Sequence, residues 1–486
     1  MVYRLLDGPG AKRLVIHPMK LLSQITIYFL LFLTCSFNCL SAADATGQRG
    51  SRIVLKEALS GEALEQKMME MSAAGGGVLL LPKNSSVTAM VHSVTYKNWP
   101  SPHALLVPEH VTLDLNGGTI LLDLRSNGYG IRLTSDSAIQ NGTVRVVRSE
   151  GAGSQRIWHA CISVGAAYGD GGTPQTPSYF SKISKWRMEH LTVDQPSPQS
   201  AIQIMSESSK GIIRDIRISD SDKAALGVGL DWGTVGPLGM ADELQPQMRQ
   251  LFDEGKVYGT PPHDILIQKI RVGRMTLNEN DDGSAAVRTS GCYNITIDDV
   301  EVQEAAVGVA VHAGDAGFEY ALEPHRHIGH AGYVIKNIVV HKAYRRGIII
   351  DGIADNVYRA ILHHGHHSAL STVTPGIDKP LVQHVKAHGA PSSATGVLVQ
   401  FSVGAKIEDV DVSGFQRGIH MKDWARNVTI SQCKLHDNEN AVVVSGSASE
   451  GKAENIVLKN NHIYRNGKDV QAAIGQVKEI DNVYRE

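Results

Sequence analysis

Over most of its length the chain repeats one short pattern: apolar-x-apolar, a polar pair, apolar-x-apolar and, after a brief loop, an apolar stretch led by Gly or Ala. Ile295-Thr296-Ile297-Asp298-Asp299-Val300-Glu301-Val302 followed by Gly308-Val309-Ala310-Val311 is one copy. Val334-Ile335-Lys336-Asn337-Ile338-Val339-Val340 followed by Gly347-Ile348-Ile349-Ile350 is the next. Alternation with period two predicts β-strands, and the polar pair predicts a bend between two of them.

The second residue of each pair forms a column: Gly117, Asn141, His190, Asp215, Lys269, Asp299, Asn337, His384, Asp409, Gln432 and Asn460. The closest members suit a turn of three short strands, so the wider gaps are loops inserted at a fixed place. The expected fold is all-β, a right-handed single-stranded parallel β-helix of about ten to eleven coils, with polar side chains stacked at the bend. In this the chain resembles the pectin lyase-like β-helix superfamily over roughly residues 50 to 475. A helix-like segment near Glu57 to Ser72, before Ala73-Ala74-Gly75-Gly76-Gly77, is similar to the N-terminal cap of such proteins, which covers an otherwise open sheet edge. The expected division is 43–110 for cap and first strands, 111–475 for the β-helix and 476–486 for a tail.

Composition agrees with a turn-rich β protein, with 48 Gly and 6% aromatic residues. The balance of 47 Lys+Arg against 49 Asp+Glu gives no argument for a nucleic-acid partner. Leu21 to Leu40 is an apolar run after Lys20 and before the small residues Ser41-Ala42-Ala43, so residues 1–42 read as a signal peptide region, with Met19 as the expected start. A secreted or periplasmic protein follows, with membrane attachment only if that segment stays uncleaved. Cys161, Cys292 and Cys433 show no disulfide spacing. Sequons begin at Asn84, Asn141, Asn294 and Asn427, three of them at tight turns or strand starts, and are read as turns rather than glycan sites.

The Gly-led strands should stack into one parallel sheet, with equivalent residues about 4.8 Å apart. In the superfamily this sheet floors the substrate cleft. The residues closing its strands are Asp231, Thr289 beside Arg288, His312, Asp351, Gln400 and Lys422. Charged ends of solvent-facing strands also occur without function. Here, however, long insertions follow Asp231 (232–262), His312 (313–332) and Asp351 (352–379), and long loops beside a rigid sheet usually build a site.

Loops entering the same strands add Asn280-Asp281-Asp282-Gly283 and Tyr344-Arg345-Arg346. Asp281-Asp282 resembles the paired aspartates of polygalacturonases, although Ala306-Val307-Gly308-Val309 stands where those enzymes carry Gly-His-Gly; an Asx-turn cluster is the alternative. Tyr258-Gly259-Thr260-Pro261-Pro262-His263-Asp264 is similar to a motif of mannuronan C5-epimerases, with Pro261 in place of its first Asp and a bend-side strand following. His325, His327 and His330 on one insertion, and His363, His364, His366 and His367 on the next, would bind a metal or line a cleft.

β-Elimination on a uronic-acid polysaccharide needs a cation for the carboxylate, a base for the adjacent proton and an acid for the leaving oxygen. Arg288 would be the cation and His312 the base, with Tyr344 or Arg345 assisting departure. Asp231, Asp282 and Asp351 would hold Ca²⁺ or orient His312. Hydrolysis would use Asp281, Asp282 and Asp351; C5-epimerisation would share the proton abstraction; a non-catalytic glycan-binding protein would need neither. Asp231, Tyr344, Arg345, His363, His364 and Lys422 are the expected substrate contacts.

Overall fold

A computed structural model describes residues 51–92, 95–96, 99–100, 103–124, 129–149, 160–165, 183–196, 200–205, 208–231, 262–312, 331–352, 377–446, 452–473 and 475–485. The expected signal segment, both histidine-rich loops and almost all of the three long insertions lie outside these residues.

Each coil has three faces, and each face is paired in parallel with the same face of the next coil. The first face includes Gly77–Leu80 and Val111–Asp114, and the second Ser86–Met90 and Thr119–Asp123. The Gly-led third face includes Tyr129–Leu133, Ser200–Ile204, Leu226–Asp231 and Ala285–Ser290.

The bend between the first two faces is made by one residue per coil in the left-handed region. Every member of the column read from the sequence has φ between 50° and 78°, from Asp409 at 50° to Gly117 at 78°. That residue drops out of the strand pairing. Gln140 pairs with Glu189 and Gly142 with Leu191, whereas Asn141 and His190 stay unpaired. Asn and Asp tolerate this conformation because a short polar side chain can bond locally. Asn337 Nδ2 also reaches the preceding coil, donating to Asp298 Oδ1 at 2.7 Å. Neighbouring coils also join side chain to side chain along the column, His190 to Asp215 at 2.6 Å and His384 to Asp409 at 2.7 Å.

A second left-handed column, not anticipated from the sequence, precedes the first face: His110, Asp136, Lys185, Lys210, Asp264, Asn294, Lys379, Asn427 and Asn455, with Gly332 and Gly404 in the same series. Here backbone N–H groups reach the next coil, as in Asp136 to Ser184 at 2.8 Å and Lys379 to Val403 at 2.7 Å. All four sequon asparagines have positive φ, Asn84 and Asn141 included.

Inside the coils, like residues stack on like. Val228, Val287, Val309, Ile348, Val397 and Ile419 follow one another in register on the third face and are fully buried. Burying each such side chain contributes about 1.5–3 kcal/mol against the entropy of ordering it. At the Gly-led corner there is no room for more: a Cβ on Gly396 would sit 2.1 Å from Val412 Cγ1. In the later coils, buried asparagines satisfy the turning backbone. Asn461 Nδ2 donates to the Ile430 carbonyl at 3.0 Å, and its Oδ1 accepts from Cys433 N at 2.9 Å. Cys161, Cys292 and Cys433 are buried and form no disulfide with one another, and burial pushes Cys433 up to about 12.

The helix, α1, spans Gly61–Ala73 and starts later than expected because Ser60 caps it, accepting from Ala63 N at 3.2 Å. Leu64, Met68 and Met71 turn into the hydrophobic core. Ser51–Val54 pairs with Gly77–Leu80 inside the expected 43–110 segment, Gly77–Leu80 pairs in turn with Val111–Asp114 beyond it, and Val477–Ile480 and Val483–Arg485, within the expected tail, pair in parallel with the preceding coil.

The bend column is a conformational requirement rather than a side-chain one. Lys269 (φ 56°) tests this: Lys269→Val should cost about 1–3 kcal/mol by putting a β-branched residue in the left-handed region, and Lys269→Gly should stay within about 1 kcal/mol of the parent. Urea denaturation of the three proteins measures it.

Candidate functional site

The third face sets its residues in rows. In register across adjacent strands lie Asp231, Ser290, His312, Asp351, Gln400 and Lys422. Ser290, not Thr289, takes the place in this row. The strand Ala285–Ser290 runs one residue further than the sequence suggested, and period-two alternation turns Thr289 into the core, where it is fully buried. Arg288 falls in the next outward row, in register with Gly229 and Ala310. The same row continues through Ile349 and Leu398 to His420.

Arg288 is mostly buried. Its Nη1 donates to the Gly283 carbonyl at 3.0 Å, its Nη2 lies 3.6 Å from Asp231 Oδ2, and its Nε is buried with no hydrogen-bond partner. One strand beyond, His312 Nδ1 is 3.7 Å from Asp351 Oδ2, beyond hydrogen-bond length, and is also buried without a partner. The face thus carries a guanidinium and an imidazole on adjacent strands, each with a donor or acceptor left over and each beside an aspartate.

Asp282 is clasped by two arginines. Arg345 Nε and Nη2 reach its oxygens at 3.0 and 3.2 Å, and Arg346 Nε and Nη2 at 3.0 and 2.8 Å. Burial pushes this carboxyl up, but the two guanidiniums outweigh it and hold it at about 2. Asp281 is exposed and accepts from Gly283 N–H at 2.9 Å, which is the Asx turn weighed as its alternative. Tyr344 is not brought to the rows. Its hydroxyl donates to Glu304 Oε2 at 2.5 Å and accepts from Lys342 Nζ at 3.2 Å. Lys422 sits two strands beyond Asp351, its Nζ 2.7 Å from Asp423 Oδ2. His363 and His364 lie outside the described residues.

Two residues on this face were given no role in the sequence reading, Arg346, named there only within Tyr344-Arg345-Arg346, and His420. Arg346 completes the clasp on Asp282. His420 is buried, its Nε2 2.7 Å from Ser445 Oγ, and burial pushes it down to about 3, so its ring is neutral. Counting alternate residues back from Lys422 would have found it in the row of Arg288. Of the expected metal ligands, Asp282 spends both oxygens on arginines and Asp231 faces Arg288. Among the described residues Asp231, Asp282 and Asp351 form no group with converging ligand atoms. They do not fit a Ca²⁺ site. The epimerase-like segment ends on the first face, where His263 stacks on Tyr293 at 4.7 Å, away from the rows.

Because the folded-state value of Asp282 lies below that of an ordinary aspartate, its contribution is fully present above about pH 4 and is lost as pH falls towards 2. Asp282→Asn should therefore lower the urea midpoint at pH 6 and lower it progressively less below pH 4. A difference that stays constant with pH would refute the charged clasp.

A family model described as "Right handed beta helix region" matches residues 326–482. No curated protein matches the sequence. Among solved structures, a double mutant of the tailspike protein of E. coli bacteriophage HK620 in complex with pentasaccharide is similar with TM-score 0.51 and 11% identity, covering 87% of this chain and 74% of that one. A second double mutant of the same tailspike gives TM-score 0.50 at 11% identity, with the same coverage of both chains. The mannuronan C-5 epimerase AlgE6 A-module of Azotobacter vinelandii gives 0.49 at 11% identity, covering 87% and 95%. At such identity the likeness to the tailspike structures speaks to architecture alone, and with the family match and the strand register it gives this chain a right-handed parallel β-helix fold.

Proposed function

We propose that the third face binds an acidic polysaccharide and abstracts the proton beside a uronate carboxylate, with β-elimination as the outcome. The observation that carries this is the pair Arg288 and His312, on adjacent strands of the third face, each beside an aspartate and each with one nitrogen that has no hydrogen-bond partner among the described residues. Arg288 would take the carboxylate and raise the acidity of the adjacent C–H; His312 would accept the proton, with Asp351 stabilising the imidazolium as it forms. The clasp of Asp282 by Arg345 and Arg346 would hold the loop that gives Arg288 its Gly283 carbonyl. Tyr344 is engaged by Glu304 and is not assigned to leaving-group departure. Export through the 1–42 segment would bring this face to glycans outside the cytoplasm, and a protein of this fold does bind a pentasaccharide.

Hydrolysis fits less well. Glycosidases place two carboxyl groups about 5–9.5 Å apart, one of them protonated. Asp231 and Asp351 are three strands apart in register, about 14 Å at the usual strand spacing. Asp282, held at about 2, is ionised at any working pH and cannot act as the acid. Epimerisation shares the abstraction and differs only in returning a proton from the other face.

Incubation with polyuronates should raise ultraviolet absorbance and reducing ends together. His312→Ala should lower the rate about 10²–10⁴-fold, and Arg288→Ala should lose most of the activity on acidic substrates. Reducing ends without absorbance would overturn elimination in favour of hydrolysis.

A further inference from the structure

Far from the third-face rows, where α1 meets the first strands, three side chains converge. Glu65 on α1, His92 just after Ser86–Met90, and His103 at the start of His103–Val107 each offer a ligand atom, all within 4.8 Å of one another. His92 Nε2 is 3.3 Å from Glu65 Oε1, and His103 Nε2 is 3.2 Å from Glu65 Oε2. Ligand atoms bonded at about 2.0–2.1 Å around a tetrahedral ion stand about 3.3 Å from one another. The backbone already holds the two histidines side by side, since His92 N–H donates to His103 O at 2.9 Å and His103 N–H to His92 O at 3.3 Å.

Hydrogen bonding alone leaves this group unbalanced. Glu65 Oε2 accepts from Leu106 N–H at 2.7 Å and can accept from Nε2–H of His103. His92 is different: its Nδ1 lies 3.1 Å from the Met90 carbonyl, a pure acceptor, so Nδ1 carries the hydrogen. Its Nε2 then turns a lone pair towards a carboxylate oxygen. Two acceptors at 3.3 Å need a proton or a metal ion between them. A histidine fixed through its far nitrogen to a backbone carbonyl, with the other presented to a carboxylate, is the arrangement that supports metal ligation.

We propose that Glu65, His92 and His103 bind a divalent transition-metal ion of the zinc type, with solvent at the remaining position. Such an ion would join α1 to the second and third faces of the first described coils. Its role would be structural, separate from the chemistry proposed at Arg288 and His312.

The test titrates Zn²⁺ into the chelator-treated full chain and into His92→Ala, whose side chain is partly exposed, with circular dichroism on both. The parent should bind one more equivalent of zinc than His92→Ala. His92→Cys should regain that equivalent and, loaded with Co²⁺, show a thiolate-to-cobalt absorption band. Equal stoichiometry in parent and His92→Ala, or no cobalt–thiolate band in His92→Cys, would overturn the proposal.

Discussion

Each coil of this protein must turn at the same place as the coil beneath it, because parallel strands about 4.8 Å apart pair only when register is kept. The turn is made by a single left-handed residue between the first and second faces and another before the first. Neither can drift by one position without sending core side chains to the surface. The stacked valines and isoleucines, the corner taken by Gly or Ala and the rows of the third face all follow from that repetition. The long insertions follow the ends of the third-face strands at Asp231, His312 and Asp351, so their length can vary while the rows stay aligned.

The same rule explains what could be read from sequence. The first bend column was legible because a polar pair interrupts period-two alternation, and both Asn337 and Asp299 stand out between apolar neighbours. The second column was not. Its members include Lys185, Lys210, His110 and Asn294, which share a backbone conformation but no chemical type, and they lie at strand starts where no alternation flags them. The outward row of Asp231, His312 and Asp351 was legible from strand ends. Its member Ser290 was missed because the strand runs one residue beyond the apolar stretch, which put Thr289 on the wrong side.

Pairings across long sequence separations were illegible in principle. Arg345 and Arg346 meet Asp282 more than two coils' worth of chain later, and Glu65 meets His92 and His103 only because α1 lies across the first strands. Tyr344 shows the opposite error. Adjacency in sequence to Arg345 suggested a shared site, yet the corner sends its ring to Glu304 and Lys342. Sequence placed Asp282 among catalytic acids and metal ligands; in the fold both of its oxygens accept from Arg345 and Arg346, which hold its carboxyl at about 2.

The chemistry assigned to the third face reduces to one bond, the C–H beside a uronate carboxylate, broken by His312 while Arg288 holds the carboxylate. An oligouronide carrying deuterium at C5, followed by nuclear magnetic resonance during turnover, reports on that bond alone. Loss of the label in step with product formation, abolished in His312→Ala, is the result this account predicts. Product that keeps its C5 deuterium in full would mean the glycosidic bond is broken without proton abstraction, and would contradict it.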